Sequence, residues 1–471
     1  MPWKIALTVI TALGLPPALA WAAETPRKPN VIVVVADQWR AQALGCAGDV
    51  NARTPHLDRL AAEGLRLTTA VSTCPVCSPY RGCLMTGQYP LTHGVFLNDV
   101  PLRPKGPALA EVFRRAGYQT AYIGKWHLAG DGRTVFIPPQ RRLGFEFWRA
   151  CECTHDYNHS PYFGDTDQKL YWQGYDAEDQ TQAAMRYIRQ HHQGGPFLLV
   201  LSWGPPHNPY TTAPESFRRQ FTPEALKLRP NVPPQAAAAA RRDLAGYYAH
   251  GAALDACIGR LADELQQLGL ADNTLLVFTS DHGDMLGSHA QNRKQRPWDE
   301  SILVPLIVRW PRGLGSAGRR LAAPLCSPEI YPTLLGLCGI AIPQTVEGAD
   351  RSAWLLGRAK DDDRAVLIAS YTPFGEWTTK MGGREFRGLR TARYTYVRAL
   401  DGPWLLFDNR SDPYQENNLA GNTQYAALQA ELDAALTREL QRRHDEFLPG
   451  KEYVRRWGYK TDATGTVPYG P

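Results

Sequence analysis

Beyond residue 22 the chain has no apolar run of bilayer length, which excludes a multi-span membrane protein. It also lacks any dense run of lysine or arginine. With 52 Lys and Arg against 46 Asp and Glu, its net charge of +6 is modest for 471 residues, and nucleic acid is not an expected partner. Charged residues are well mixed and 44% of the chain is hydrophobic, so a globally disordered state is excluded. Internal repeats are absent. The nine cysteines do not form two CxxC halves, which argues against a zinc ribbon; their odd number leaves at least one thiol unpaired or modified.

What is present begins with a leader. Lys4 precedes an apolar stretch over residues 5–19, followed by Ala18-Leu19-Ala20 and Ala20-Trp21-Ala22, two small-residue cleavage patterns. The run is too short to span and ends in small residues, so residues 1–23 read as a secretory signal peptide, with an uncleaved anchor as the alternative. The mature protein is expected to be secreted or periplasmic, without stable membrane insertion. That compartment permits disulfides.

Residues 31–35 (VIVVV) form a continuous β-branched run, the mark of a strand buried on both faces of a parallel sheet. Thr54-Pro55 opens a helix, with Thr54 at the N-cap. Helices are expected over residues 107–116, 178–190 and 238–268, and strands over 119–123, 197–202 and 274–279. This alternation predicts an α/β fold. Polar residues gather where the strands end, near Asp37, Lys125, His207 and Asp281, and open α/β sheets bind ligands at such carboxyl ends. The character changes near residues 370–385. Antiparallel strands are expected over 390–397 and 404–408, then a helix over 424–443 and an aromatic, glycine-rich tail that forms a surface extension or a lid. The expected division is a catalytic domain over 28–375 and a smaller α+β subdomain over 376–471.

Cys77-Ser78-Pro79-Tyr80-Arg81 lies between Thr54-Pro55-His56-Leu57-Asp58 and Leu84-Met85-Thr86-Gly87. Alone, such a cysteine reads as a buried or disulfide-bonded residue in a tight turn. The whole stretch resembles the maturation motif of the type I, formylglycine-dependent sulfatases, in which Cys-x-Pro-x-Arg directs oxidation of the cysteine by a formylglycine-generating enzyme. Tyr80 stands where many members have Ser or Ala. The resemblance runs from about residue 28 to 445 and includes Asp412-Pro413 through Asn418-Leu419. It implies an alkaline-phosphatase-like fold, a large mostly parallel sheet sandwiched by helices, plus a C-terminal subdomain with a short antiparallel sheet.

It also implies a mechanism. A hydrated aldehyde offers two hydroxyls; one, acidified by a metal, would attack sulfur and expel the alcohol, and loss of the other's proton would then expel sulfate and return the aldehyde. A plain thiol cannot collapse this way. By resemblance the metal ligands are Asp37, Gln38, Asp281 and His282, together with residue 77. Gln38 and His282 depart from the more usual Asp and Asn. Calcium is the implied ion, with manganese or magnesium as alternatives; imidazole suits manganese or zinc better than calcium. Lys125 would stabilise the ionised diol or the sulfate, and His127 would act as general base. His207 would donate to the leaving oxygen, Lys294 would bind a sulfate oxygen, and Arg81 would orient the nucleophile. Asp299 and Glu300 either serve the site or pair with nearby cations.

The expected function is hydrolysis of a sulfate ester on a small molecule or glycan. Trp148, Tyr157, Tyr162, Tyr171 and Trp172 are candidates for stacking on sugars or for the core. Phosphonate monoester and phosphodiester hydrolases share the motif and an Asp-Gln, Asp-His metal set, and form the second reading. A noncatalytic glycan-binding protein is the third.

Overall fold

The structure, a computed structural model, describes Met1, Trp3 and residues 28–469. Apart from Met1 and Trp3, the expected leader lies outside the described residues. The alternation of the sequence becomes β1 (Asn30–Asp37), α1 (Pro55–Ala62), β2 (Leu65–Val71), α2 (Cys77–Thr86), α3 (Leu109–Arg115), β3 (Gln119–Lys125), β4 (Phe147–Cys151), α4 (Asp176–His191), β5 (Phe197–Pro206), α5 (Pro234–Gln267), β6 (Thr274–Ser280), β7 (Leu303–Arg309), β8 (Arg319–Leu321), β9 (Leu325–Cys326) and α6 (Ser327–Leu337). A nine-stranded sheet runs in the order β8-β2-β7-β6-β1-β5-β3-β4, with β9 also on β2. Only β7 runs antiparallel to its neighbours, β2 and β6. The sheet is therefore mostly parallel, as the β-branched runs predict.

The run at β1 is apolar throughout because both of its faces are covered. Val31, Val33 and Val35 enter a core shared with α3 and α6, whereas Ile32, Val34 and Ala36 enter one shared with α1, α4 and α5. A strand alternates its side chains between faces, so two buried faces demand an unbroken apolar sequence. Thr54 precedes α1 as expected, but its hydroxyl does not cap the helix. It bonds Asp58 Oδ1 and accepts from the Gly45 amide instead.

A second, four-stranded antiparallel sheet holds β10 (Ala365–Ser370), β11 (Phe386–Thr391), β12 (Tyr394–Ala399) and β13 (Gly402–Asp408) in that order. Residues 390–397 are not one strand: Thr391 ends β11, Ala392 and Arg393 turn, and Tyr394 starts β12. The first strand of this sheet comes from upstream of residue 376. Helix α7 (Ala426–Arg442) covers the sheet through Leu432, Leu436 and Leu440. Helix α8 (Gly450–Trp457) follows, and Trp457 and Tyr459 pack on Phe96.

All nine cysteines are free thiols in the structure. No helix among the described residues is long and apolar enough to cross a membrane.

Candidate active site

Strands β1, β5, β3 and β6 are parallel neighbours, so their carboxyl ends share one edge of the sheet. Asp37 ends β1, Lys125 ends β3, His207 follows β5 and Asp281 follows β6. Helix α2 runs up to this edge, with Cys77 as its first residue and all ten of its residues buried. A helix N-terminus favours negative charge, which suits a nucleophile placed there. Tyr80 points away from the site into the core and bonds Thr279 Oγ1 at 3.2 Å. Its bulk fills space between α2 and the sheet, which is why the motif accommodates it.

The residues predicted as metal ligands converge. His282 Nε2 is 3.2 Å from Cys77 Sγ, 3.5 Å from Asp37 Oδ1 and 3.6 Å from Asp281 Oδ1. One ligand atom from each of these four lies within 4.8 Å of the others, and all four residues are buried. Surrounding hydrogen bonds hold these side chains in place, and Asp281 Oδ1 itself accepts the Gln38 and His282 amides at 3.0 and 2.9 Å. His282 donates Nδ1–H to the Gly283 carbonyl at 2.9 Å, which leaves the Nε2 lone pair facing the cluster. Asp37 Oδ2 accepts from Lys125 Nζ at 2.6 Å and from Arg81 at 3.3 Å. Asp281 Oδ2 accepts from Arg81 at 3.0 Å. Gln38 donates Nε2–H to Asp284 Oδ2 at 2.6 Å, and its carbonyl oxygen accepts from Lys294 Nζ at 3.4 Å. Two carboxylates, an imidazole and residue 77 around a buried point are a donor set that fits a divalent cation.

Electrostatics follow from this crowding. Burial pushes Asp37 toward the neutral acid, but Lys125, His207, His282 and Arg81 together outweigh it and hold the carboxyl well below its usual range. Burial and the neighbouring Asp37 raise Asp281 to about 6. Arg81 is engaged through both terminal nitrogens: Nη1 donates to Ser202 Oγ and the Lys125 carbonyl, and Nη2 to both carboxylates. It fixes the cluster rather than facing the cavity. Gly124 is required for this crossing. At φ +104 it lies against the Ser202 carbonyl, 2.0 Å from where a Cβ would be.

The cavity over Cys77 encloses about 260 Å³ and is lined by Lys125, His127, His207 and Lys294 among others. Lys294, the least secure of the sequence candidates, is central: its Nζ donates to His207 Nε2 at 2.8 Å and to Cys77 Sγ at 3.3 Å. His207 donates Nδ1–H to the Asn208 carbonyl, and burial with Lys294 beside it keeps the ring neutral. His127 Nε2–H donates to Asp99 Oδ1 at 3.1 Å, while its buried Nδ1 makes no hydrogen bond. Burial opposes the charge on this ring, but Cys153 and Asp99 raise it to about 10. Gln38, Asp99, His127 and Arg293 all have left-handed φ, between 61° and 69°, a strain that clusters at functional sites.

Asp299 pairs with Arg390 and Glu300 with Arg229, so neither enters the cavity. Trp148, Tyr157 and Trp172 are core residues, and none of the five candidate sugar-stacking aromatics lines the cavity. The tail reaches the rim instead: Thr466 and Tyr469 line the cavity, and Arg133 stacks on Tyr469 at 3.7 Å. Sequence reasoning missed Asp99, Arg133, Cys153, His155, Asp284 and Glu376. Asp284 alone carried a signal, since it is three residues beyond Asp281.

Comparison with known proteins agrees with this geometry. Residues 29–340 match the family model described as Sulfatase, and residues 287–442 match that of the N-sulphoglucosamine sulphohydrolase C-terminal region. The chain is 43% identical over 440 residues to an ulvan-active sulfatase of Formosa agariphila, covering 93% of this chain and 86% of that one. A solved Bacteroides thetaiotaomicron protein, from work on the metabolism of multiple glycosaminoglycans, superposes with a TM-score of 0.80 at 28% identity. That match covers 91% of this chain and 99% of the other. The phosphonate monoester hydrolase of Agrobacterium radiobacter superposes with a TM-score of 0.72 at 25% identity, covering 88% and 96%. With its motif, strand-end cluster and fold in agreement, the chain belongs to the sulfatase family and has the alkaline-phosphatase-like fold.

Proposed function

We propose that this sulfatase is an exported enzyme that removes sulfate from a sulfated carbohydrate, with Cys77 oxidised to formylglycine by a maturation enzyme. The observation that carries the reading is the convergence on Cys77 of Lys294, His282 and Asp37, at 3.3, 3.2 and 3.7 Å. Such a constellation serves a nucleophile that must meet an anion. The likeness to an ulvan-active sulfatase supports a sulfated polysaccharide.

Asp37, Gln38, Asp281, His282 and residue 77 would hold the divalent cation, by resemblance calcium, with manganese or magnesium as alternatives. Bound there, it would acidify an oxygen at residue 77. Lys125 and Lys294 supply the fixed positive charge that a sulfate group meets on entry. The Lys294–His207 pair stands where a leaving alkoxide can take a proton, since Lys294 Nζ already donates to His207 Nε2. His127 offers its unbonded Nδ1 to the cavity and is held by Asp99 through Nε2, the geometry of an oriented acid–base residue. Arg81 acts as a positioning residue through Asp37 and Asp281.

The departures at Gln38 and His282 favour a second reading, a phosphonate monoester or phosphodiester hydrolase. Parallel assays of the matured enzyme on an aryl sulfate and an aryl phosphodiester separate the two. Sulfate turnover should dominate and should be lost in Cys77→Ala. Faster turnover of the phosphodiester, or full activity in Cys77→Ala, would overturn the proposal.

A further inference from the structure

Beside the catalytic cavity lies a second one that the chemistry above leaves unused. At about 260 Å³ the catalytic cavity is below the few hundred Å³ of sites that engulf a whole small molecule, so most of a glycan must lie outside it. The neighbouring cavity encloses about 480 Å³. The same two loops build both. One passes from His207 in the first cavity to Asn208 and Pro209 in the second, and the other from Lys294 in the first to Arg293 in the second. Glu376 marks the junction, 3.6 Å from Lys294 Nζ and 3.8 Å from Arg293 Nε.

The charge of this second cavity is one-sided. Arg218, Arg242 and Arg293 line it, against a single acid, Asp243. Arg293 is committed to the Tyr210 hydroxyl and to ion pairs with Asp284 and Glu376. Arg218 and Arg242 are exposed, and neither guanidinium makes a hydrogen bond or an ion pair among the described residues. Asp243 feels Arg293 and Arg242 but pairs with neither within 4.0 Å. Pro209 and the buried Phe221 supply the apolar part of the same cavity's lining.

We propose that this cavity is a subsite for a second acidic group of the substrate, a carboxylate or a further sulfate on the sugar next to the one being desulfated. Arg218 and Arg242 are its donors. The inference rests on the carbohydrate reading above and narrows it to polyanionic glycans. A guanidinium presents a planar fork that matches either oxyanion with two bonds.

The test uses the matured full-length enzyme and the double variant Arg218→Gln, Arg242→Gln. Four substrates are compared: a sulfated oligosaccharide with a neighbouring uronate, the same compound with that carboxyl reduced to an alcohol, one with a neighbouring sulfate, and a small aryl sulfate. Each charge-assisted contact at a partly exposed site is worth about a factor of ten or somewhat less. KM for the acidic oligosaccharides should therefore rise about 10- to 100-fold in the double variant, with kcat nearly constant. The reduced oligosaccharide and the aryl sulfate should keep their KM, and the corresponding double lysine variant should recover part of the loss. The acidic compound with the larger shift identifies the group that binds. An unchanged KM for both acidic compounds, or an equal rise for all four, overturns the subsite while leaving the sulfatase reading intact. A wild-type enzyme that releases sulfate from none of the four overturns both.

Discussion

Asp99 is the residue whose loss reports most directly on the chemistry. Its carboxylate accepts Nε2–H of His127 at 3.1 Å, and Nε–H and Nη2–H of Arg133 at 3.1 and 3.0 Å. Asp99→Asn keeps the shape and removes the charge, leaving one oxygen for three donors. A hydrogen bond to a charged group is worth about 1.5–3 kcal/mol, and about 1.4 kcal/mol corresponds to one pKa unit. His127, raised to about 10, should therefore fall by roughly 1–2 units toward its ordinary value. The sign is fixed: removing an anion destabilises the imidazolium, so the proton leaves at lower pH. The assay is kcat/KM for an aryl sulfate across the neutral and alkaline range. The limb belonging to His127 should move acidward by that amount. If it rises with pH, the ring works as a base; if it falls, as an acid. A limb that stays in its wild-type position, in a variant with a native circular dichroism spectrum, refutes the coupling between Asp99 and His127.

Three further outcomes are expected. Lys294→Met should lower kcat about 100-fold, the usual cost of losing one preorganised donor, with partial recovery in Lys294→Arg; an unchanged kcat would remove Lys294 from the chemistry. Chelation should abolish sulfate release, because residue 77 then loses the cation that would acidify its oxygen, and added calcium, manganese or magnesium should restore it to different extents; full activity in excess chelator would dismiss the metal. Burial pushes the Asp176 carboxyl up to about 8, outweighing its bond from Ser160. Because an unfolded Asp titrates near 3.9, its contribution to stability is intact below about pH 4 and is lost as pH rises toward 8. Asp176→Asn should flatten that loss, a difference on the order of several kcal/mol at the alkaline end. Urea midpoints of both proteins against pH measure it, and parallel curves would contradict it.

The strand-end cluster of the candidate site was legible because strand ends announce themselves. An apolar run buried on both faces must stop where a polar side chain can be tolerated, and Asp37, Lys125 and Asp281 each stand at such a stop. What remained hidden came from loops. Asp99 meets His127 only because the chain between residues 94 and 102 folds back over α2, and no periodicity encodes that contact. Arg133 and Glu376 enter the cavity from loops far apart in sequence. The β11–β12 turn was missed for a related reason: Ala392-Arg393 carries neither glycine nor proline, so the two strands read as one. For the aromatics the sequence left sugar stacking and core packing both open. Trp148, Tyr157 and Trp172 cluster near functional residues in sequence, yet each fills core beneath the sheet edge.

Gln38 and His282 give this site a particular charge balance. Asp37 and Asp281 are the two carboxylates of the cluster, against Lys125, Lys294 and Arg81 even before any metal is counted. An amide at position 38 in place of a second acid removes one negative charge facing the substrate and strengthens the pull on any anion. Sulfate monoesters and phosphodiesters each carry one negative charge at neutral pH, so this balance attracts both alike. Discrimination must then come from groups that touch the substrate beyond the reacting centre. The structure offers such groups in one direction, past Glu376 and Arg293 toward Arg218 and Arg242. A small phosphodiester gains nothing there, whereas a polyanionic sulfated chain gains two guanidinium contacts. With the proposed subsite, selectivity for sulfate would be selectivity for the glycan that carries it, and swapping Arg218 and Arg242 for glutamine should narrow the gap between glycan sulfate and aryl phosphodiester by lowering kcat/KM for the glycan alone.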